Sequence, residues 1–270
     1  MRQVQRYTDL KTERSAPTWG PLGAKMAKIL SSGSVNRNIL SKHDLKPDKP
    51  DTLQSNGRTQ ESRLSAGTAF QGLYIIATPI GNSQDLGHRA IEILANASFV
   101  ACEDTRVTGK LLAIHKIKSP TVPYHEYNSR KQLPRLLKRL KNKEAVALVC
   151  DAGTPLISDP GYRLVQACLD ADVTVSAIPG PSAALAALVV SGLPTDRFFF
   201  QGFLANKKSL RRSQLQQLAA VPGSLIILES ARRLAVMLAD AFEELGERHA
   251  AVCRELTKRF EEVNRGTVSY

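Results

Sequence analysis

Hydrophobic and polar positions divide the chain into two stretches of different character. Residues 1–70 are rich in Ser, Lys, Arg, Asp and Pro and contain few apolar clusters. Because such a composition leaves little apolar surface to bury, we expect this segment to be disordered or an N-terminal extension. From Gly72 onward, short apolar runs alternate with amphipathic stretches. That alternation is typical of strands followed by crossover helices, so it predicts a parallel sheet covered by helices.

The predicted elements fall into two domains, residues 71–194 and 195–270. Apolar runs predict strands at 73–77, 98–102, 122–125, 145–150, 173–178, 198–203, 225–228 and 250–253. Apolar residues at helical spacing predict helices at 86–97, 105–117, 129–143, 161–171, 182–192, 205–220 and 232–245. The fold class is therefore α/β, with a mainly parallel sheet in the N-terminal domain and a smaller mixed α/β C-terminal domain. The chain stops soon after another predicted strand start, so truncation of the second domain is one interpretation.

The charge balance favours a polyanionic partner. The chain contains 37 Lys and Arg residues against 25 Asp and Glu residues, a formal net charge of +12. Because such an excess attracts nucleic acids, RNA is a candidate partner. The sequence has neither a secretory signal nor a membrane-length apolar run, which predicts a protein that does not span a membrane. Its four cysteines lack metal-ligand spacing, so we expect reduced thiols, no metal site and a cytoplasmic location.

Unusual residues follow all five predicted strands of the first domain. These segments are 78–82, 103–106, 125–128, 151–161 and 179–183. Each segment alone could be an ordinary turn that ends a strand and precedes a helix. Because ligands of open parallel sheets bind beyond the carboxyl ends of the strands, five such segments at one edge predict a binding site. The usual glycine-rich fingerprints of dinucleotide and P-loop nucleotide binding do not occur in the sequence.

Acidic side chains at this edge have two interpretations. Glu103 and Asp104 could orient a hydroxyl group or act as a base. Alternatively, Asp104 could cap the helix that follows and pair with Arg106. His125 and Glu126 could likewise transfer protons, although a lone histidine is more often structural.

Basic residues are concentrated in two of the predicted helices. One group lies between residues 130 and 143, and a second comprises Lys207, Lys208, Arg211 and Arg212. Such residues are usually the solvated face of a helix. An RNA-binding surface would have the same appearance in the sequence, so both interpretations remain open.

Seven segments together resemble the ribosomal RNA small subunit methyltransferase I family. Members of this family are 16S rRNA 2'-O-methyltransferases of the tetrapyrrole methylase superfamily. The segments are 73–82, 101–106, 124–126, 151–162, 179–183, 191–194 and 254–258. The resemblance begins near Gly72 and does not extend to residues 1–70.

The resemblance implies two α/β domains with S-adenosylmethionine in the cleft between them. It also implies a homodimer in the bacterial cytoplasm that acts on 16S rRNA in the 30S subunit, at a cytidine ribose of the decoding centre. The cofactor-binding residues that it implies are Pro79, Ile80, Gly153, Thr154, Ile157, Ser158, Ser182, Ala183, Glu229 and Ser230.

Methylation of a ribose hydroxyl requires in-line positioning of the attacking oxygen and the methyl carbon, and a late acceptor for the hydroxyl proton. Our candidates for that acceptor are Glu103, Asp104 and Glu126, and we expect Asp104→Asn to lose turnover. Lys258 could instead polarise the hydroxyl group or hold a phosphate.

Two alternatives remain at this point. One is a methyltransferase of the same fold that acts on a tetrapyrrole or another small molecule, against which the long 151–162 segment and the basic helices argue. The other is a non-catalytic RNA-binding module. It stays open because Ala231 and Arg232 replace the Pro-His pair that is usual in the family.

Overall fold

The computed structural model describes residues 70–269. The prediction for residues 1–70 therefore concerns, apart from Phe70, residues that lie outside the described range. Within that range the chain forms nine strands, seven α-helices and a short 3-10 helix at Ser83–Asp85. The strands are β1 (Gly72–Ile76), β2 (Phe99–Cys102), β3 (Thr121–Pro123), β4 (Ala145–Leu148), β5 (Val175–Ile178), β6 (Phe198–Phe203), β7 (Ser224–Leu228), β8 (His249–Arg254) and β9 (Glu262–Thr267). The α-helices are α1 (His88–Asn96), α2 (Thr105–Ile114), α3 (Ser129–Lys141), α4 (Tyr162–Leu169), α5 (Ala183–Ser191), α6 (Lys208–Leu218) and α7 (Leu234–Leu245).

The first five strands form one sheet in the order β3-β2-β4-β1-β5. Every pair of neighbours in this sheet is parallel. The predicted parallel sheet is thus confirmed, and the carboxyl ends of all five strands lie at a single edge. All four residues of β4 are buried, as expected for a central strand that is covered on both faces.

Helices cover both faces of this sheet, and alternate residues of β1 point to opposite sides. Leu73 and Ile75 pack with side chains from α3 and α4. Tyr74 and Ile76 pack with side chains from α1 and α2. Burial of each large apolar side chain contributes about 1.5–3 kcal/mol, so these two layers hold the sheet edge in place.

The remaining strands form two small sheets, which confirms the predicted mixed α/β part. Strands β6 and β7 are parallel, whereas β8 and β9 are antiparallel. A third apolar cluster joins α6 to α7 through Leu215, Leu218 and Met237. The division into domains at residues 194 and 195 stays a prediction. None of the helices in the described part of the chain has the length and apolar character needed to cross a membrane.

The interpretation of Arg211 as a surface cation is wrong. Its side chain is 5% exposed, and it forms an ion pair of 2.5 Å with Asp240, which is equally buried. The same guanidinium also donates a hydrogen bond to the carbonyl of Asn206. Arg212 forms a second ion pair, with Glu244. Both ion pairs therefore join α6 to α7. The buried Arg211 depends on its partner, because burial of an unpaired charge would be costly.

Several predicted helices were too long at their ends. The helix predicted at 105–117 ends at Ile114, because Lys116 adopts a left-handed conformation with φ of 57°. The helix predicted at 129–143 ends at Lys141 for the same reason, since Lys143 has φ of 63°. A left-handed residue satisfies the carbonyl groups at the end of a helix, and no apolar pattern reveals its position.

Candidate functional site

The loops that follow β1 and β4 are joined by a short backbone bridge. The amide of Thr78 donates to the carbonyl of Gly153 at 2.8 Å, and the amide of Gly153 donates to the carbonyl of Thr78 at 3.0 Å. Gly153 has φ of 85°, which few residues other than glycine adopt. The bridge brings Pro79 and Ile80 beside Gly153 and Thr154.

A side-chain hydrogen bond adds the loop that follows β5. The hydroxyl of Thr154 donates to the carbonyl of Pro181 at 3.1 Å. Ser182 comes next and caps α5 by accepting a hydrogen bond from the amide of Leu185. Ala183 is the first residue of α5. Six of the predicted cofactor-binding residues are therefore held on three loops that are tied together at one edge.

Ile157 and Ser158 lie farther along the loop after β4. Both side chains are exposed, and Ser158 has a left-handed φ of 67°. A Cβ atom at Gly202, in β6, would lie only 2.9 Å from the hydroxyl oxygen of Ser158. This loop therefore contacts the C-terminal half of the described chain.

A second contact between the two halves surrounds Gly81. A Cβ atom at this glycine would lie 2.5 Å from Cγ of Lys258, 2.8 Å from Oγ1 of Thr257 and 2.9 Å from the carbonyl oxygen of Leu256. The predicted catalytic residue Lys258 thus lies beside the loop that contains Pro79 and Ile80. Its Nζ atom forms an ion pair of 3.2 Å with Glu255.

Glu229 and Ser230 follow β7 and contact each other. The Glu229 carboxylate accepts a hydrogen bond of 2.7 Å from the Ser230 amide and forms an ion pair of 3.1 Å with Arg233. Arg233 also donates to the carbonyls of Leu204 and Ala205, each at 3.2 Å. These bonds hold the loop that follows β6, so Glu229 has a structural role whether or not it contacts a ligand.

Asp104 is the N-cap of α2, as one of the two interpretations of the sequence anticipated. Its carboxylate accepts hydrogen bonds from the backbone amide of Arg106 at 2.8 Å and from the guanidinium of Arg106 at 2.6 Å. These hydrogen bonds from the side chain and backbone of Arg106 lower the pKa of Asp104 to about 2. A carboxylate with such a low pKa is a weak proton acceptor.

Glu103 has the opposite electrostatic environment. Partial burial raises its pKa, and the nearby negative charges of Asp151 and Asp159 raise it further. Asp151 is held close to this segment because its carboxylate accepts a hydrogen bond of 3.0 Å from the Asp104 amide. Of the two adjacent acids, Glu103 is consequently the stronger base.

Two cavities open at this edge of the sheet. The larger has a volume of about 400 Å³ and lies between the loops after β1 and β4 and helix α2. It includes the predicted residues Pro79 and Ile80. The smaller has a volume of about 110 Å³ and includes the predicted residue Glu126. The larger volume is within the range of small-molecule sites in proteins.

Some residues that line the larger cavity were not anticipated. Val107, Lys110, Leu111 and Ile114 line it from helix α2. On the sequence they form an ordinary amphipathic helix, and no motif distinguishes them. Among residues 70–269 there is no group of three or more His, Cys, Asp and Glu side chains that could hold a metal ion.

The parallel sheet, the loop edge and the small C-terminal sheets are those of a tetrapyrrole methylase. The family model of tetrapyrrole (corrin/porphyrin) methylases matches residues 72–270. Solved structures with a similar fold include uroporphyrin-III-C-methyltransferase from Thermus thermophilus, with a TM-score of 0.52 and 21% identity over 73% of this chain and 85% of that chain. A diphthine synthase structure has a TM-score of 0.57 and 14% identity, over 73% of this chain and 82% of its own.

A further structure of the Thermus enzyme, with a TM-score of 0.51 and 21% identity, is complexed with S-adenosyl homocysteine. It covers 73% of this chain and 88% of its own. Methyltransferases of this family use S-adenosylmethionine.

Curated relatives give a narrower assignment. A protein of Mesorhizobium japonicum is 54% identical over 209 residues, which are 77% of this chain and 71% of that protein. A protein of Escherichia coli O157:H7 is 44% identical over 201 residues, 74% of this chain and 70% of its own. Both are named ribosomal RNA small subunit methyltransferase I. The chain belongs to this family of methyltransferases within the tetrapyrrole methylases.

Proposed function

We propose that this protein methylates the 2'-oxygen of a cytidine ribose in the decoding centre of 16S rRNA, with S-adenosylmethionine as the methyl donor. The observation that carries the proposal is the 54% identity to a named rRNA methyltransferase over 77% of this chain. The substrate context that we propose is the 30S subunit in the cytoplasm.

The residues at the sheet edge fit S-adenosylmethionine. The loops that contain Pro79, Ile80, Gly153 and Thr154 offer backbone groups and uncharged side chains. The buried hydroxyl of Thr257, beside Gly81, also has no hydrogen-bond partner among the described residues. Such a group is available to a ligand, because a buried polar atom without a partner is otherwise costly.

Bound S-adenosylmethionine supplies an electrophilic methyl group on a positively charged sulfur. We propose that Pro79, Ile80, Gly153, Thr154, Ile157, Ser158, Ser182 and Ala183 hold it, with Glu229 and Ser230 on the opposite side. The side chains of these eight residues carry no charge, so they would not oppose the loss of the sulfur's charge on transfer, and the hydrogen bonds that link their loops favour in-line positioning.

The active site must also accept the proton of the ribose hydroxyl. We propose Glu103 as the principal acceptor of the ribose hydroxyl proton, because its pKa is raised by burial and by neighbouring carboxylates. Glu126 is exposed on the same edge and is the second candidate. We assign Asp104 to helix capping rather than catalysis, because Arg106 occupies its carboxylate. Lys258, whose ammonium group pairs with Glu255, is the residue that we propose to hold a phosphate or polarise the hydroxyl.

An RNA substrate also requires a cationic surface. Helix α3 presents five exposed cations, which are Arg130, Lys131, Arg135, Lys138 and Lys141. These side chains support the proposal that α3 contacts the phosphate backbone near the sheet edge. Helix α6 contributes less, because Arg211 and Arg212 are engaged in ion pairs.

A homodimer is part of the proposal. Strand β6 exposes Phe198, Phe199 and Phe203, and helix α5 exposes Leu185 and Val189. Exposed apolar side chains in such number favour an interface with another protein chain. A second copy of this chain is the occupant that we propose.

The experiment that tests the proposed function is transfer of labelled methyl from S-adenosylmethionine to unmodified 30S subunits, followed by mapping of the product. A 2'-O-methylcytidine in the decoding region is the expected result. Cofactor binding without transfer to RNA would contradict the proposal and favour a non-catalytic RNA-binding module. Transfer to a tetrapyrrole but not to 30S subunits would favour a small-molecule methyltransferase.

A further inference from the structure

The hydroxyl group of Tyr124 is buried without a hydrogen-bond partner among residues 70–269. The residue is 1% exposed, and its ring packs in the apolar layer beneath α3 and α4. Phenylalanine would fill this layer equally well and would avoid an unsatisfied polar atom. A hydroxyl group in this position is therefore available to a ligand that enters the adjoining cavity.

Tyr124 borders the smaller cavity, of about 110 Å³, which we call the Tyr124 pocket. For comparison, an engineered protein cavity of about 150 Å³ holds one benzene molecule, so the smaller Tyr124 pocket can enclose only part of a single six-membered ring. Its other walls include Glu126, Asp159, Tyr162 and Arg163. The hydroxyl of Ser129 is another wall group, but it is already engaged as the donor to the carbonyl of Glu126.

The charges around the Tyr124 pocket select against an anion. Glu126 and Asp159 would repel a phosphate or a carboxylate group, although Arg163 is also present. The pocket combines hydrogen-bond donors, from Tyr124 and Arg163, with carboxylate acceptors. Such a mixed set matches a neutral heterocycle that has both an amine and ring acceptors.

Burial keeps the Tyr124 hydroxyl in its donor form. Desolvation raises the pKa of Tyr124 to about 12, and the nearby Glu126 carboxylate contributes in the same direction. At neutral pH the group is therefore a hydroxyl that can donate to a ring nitrogen or a carbonyl oxygen.

We propose that the Tyr124 pocket binds the base of the target nucleotide, with Tyr124 and Asp159 as specificity-determining residues. This inference rests on the proposed function, since it assumes an RNA substrate. Enzymes that act on a nucleotide within RNA or DNA can extrude it into a pocket and read the edge of its base by hydrogen bonds. Carboxylates accept from the exocyclic amine of cytosine, and the Tyr124 hydroxyl would donate to its ring acceptors.

Two further features support this assignment. Asp159 comes directly after Ile157 and Ser158, so the pocket adjoins the loop that we propose for the cofactor. Tyr162 is 68% exposed at the same pocket, and an exposed aromatic ring can stack on an unpaired base. The volume of the pocket favours a pyrimidine over the larger purines.

The first test compares the full-length Tyr124→Phe variant with wild type on unmodified 30S subunits. Loss of one hydrogen bond should raise KM for the subunits by up to about tenfold. The Kd for S-adenosylmethionine should not change, and the Tm should stay equal or rise because an unsatisfied hydroxyl has been removed. Tyr74→Phe, in β1 and outside the Tyr124 pocket, is the matched control and should keep the wild-type KM.

The second test uses subunits in which the mapped target cytidine is replaced by uridine. Wild type should prefer cytidine, and Asp159→Asn should reduce the ratio of the two kcat/KM values because an amide can also donate to the uracil carbonyl. A purely structural role of Asp159 would lower both values equally and would overturn its assignment.

The failures of the two proposals differ. If wild type is active and Tyr124→Phe has the same KM and kcat, the Tyr124 pocket is not a base site. The proposed function would then be unaffected. Wild type that binds S-adenosylmethionine but methylates no RNA would overturn the proposed function and the base site together.

Discussion

The carboxylate of Asp104 and the guanidinium of Arg106 form an ion pair of 2.6 Å at the start of helix α2. The backbone amide of Arg106 donates to the same carboxylate. This local arrangement gives one of two adjacent acids a helix-capping role and leaves Glu103 with the environment of a base. Adjacent acids whose pKa values shift in opposite directions are a common sign of divided roles in an active site.

Substitution of Asp104 should affect stability more than the methyl-transfer reaction. Asp104→Asn keeps an N-cap acceptor, so we expect it to retain most of its transfer rate and a Tm near that of wild type. Asp104→Ala removes the cap and should lower the Tm further. Thermal unfolding and transfer assays of both variants check this order. A loss of roughly 100-fold or more in kcat for Asp104→Asn would instead restore Asp104 as a general base.

The stability contribution of Asp104 should also depend on pH. Its pKa in the folded protein is about 2, below the ordinary value of 3.8. Because the folded state favours the ionised form, the contribution is fully present above about pH 4 and is lost as the pH falls towards 2. The small stability advantage of wild type over Asp104→Asn should therefore disappear at low pH. A stability difference that did not change with pH would contradict this explanation.

Removal of the Glu103 carboxylate should act on the chemical step. We expect Glu103→Gln to lower kcat by about 100-fold or more, with little change in the Kd of S-adenosylmethionine. The pKa of Glu103 lies above 4.5, so the wild-type rate should fall as the pH drops through that raised value. The pH profile of kcat measures this fall at low pH, and Glu103→Gln should not show it. Glu92→Gln, on an exposed position of α1, is the control and should behave as wild type.

The stability of Glu103→Gln separates catalysis from folding. An acid whose pKa is raised destabilises the folded state when it is ionised, so glutamine should leave the Tm equal or higher at neutral pH. A lower Tm together with a lower kcat would indicate a structural role for Glu103. In that case Glu126 would become the principal candidate for the base.

The sheet and its loop edge could be predicted from the sequence because apolar runs and turn residues are local signals. Ser182 and Gly192 illustrate this, since a cap and a left-handed glycine bound helix α5 within one residue of its predicted limits. Strands whose side chains are buried on both faces lie inside a sheet rather than at its edge, which is where β1 and β4 are found.

Other features depend on contacts between residues that are distant in the sequence. In the sequence, Arg211 is one of several neighbouring basic residues. It pairs with Asp240 only because α6 packs against α7. Likewise, Val107 and Lys110 line the larger cavity because of the way α2 lies against the loop after β4. Such partners are set by tertiary structure, so no spacing rule identifies them.

The buried ion pair of Arg211 with Asp240 should make a large contribution to stability. Asp240→Ala leaves the Arg211 charge buried without its partner and should reduce the free energy of unfolding by about 3–5 kcal/mol. The double variant Arg211→Met with Asp240→Leu should recover much of this loss, because apolar side chains of similar volume can replace the pair. Denaturant unfolding measures both.

A surface pair provides the control for this prediction. Glu262 pairs with Arg254 on the exposed face of β8 and β9, so Glu262→Gln should have only a small effect. If Asp240→Ala reduced the free energy of unfolding no more than Glu262→Gln does, the buried pair would not be the link between α6 and α7 that the structure indicates.

Gly81 is the position where a single methyl group should separate the loop after β1 from the turn after β8. In Gly81→Ala, the new Cβ atom would lie 2.5 Å from Cγ of Lys258 and 2.9 Å from the carbonyl oxygen of Leu256. The backbone contact cannot be relieved by a side-chain rotation, so the turn must shift.

A displacement of about 1 Å can reduce a transfer rate by about 100-fold. We expect weaker binding of S-adenosylmethionine and a lower kcat, measured by calorimetry and methyl transfer. Gly109→Ala, within α2, meets no atom within 4 Å and should raise stability by about 0.5–1 kcal/mol without affecting either readout. Wild-type affinity and rate in Gly81→Ala would show that this contact does not shape the cofactor site.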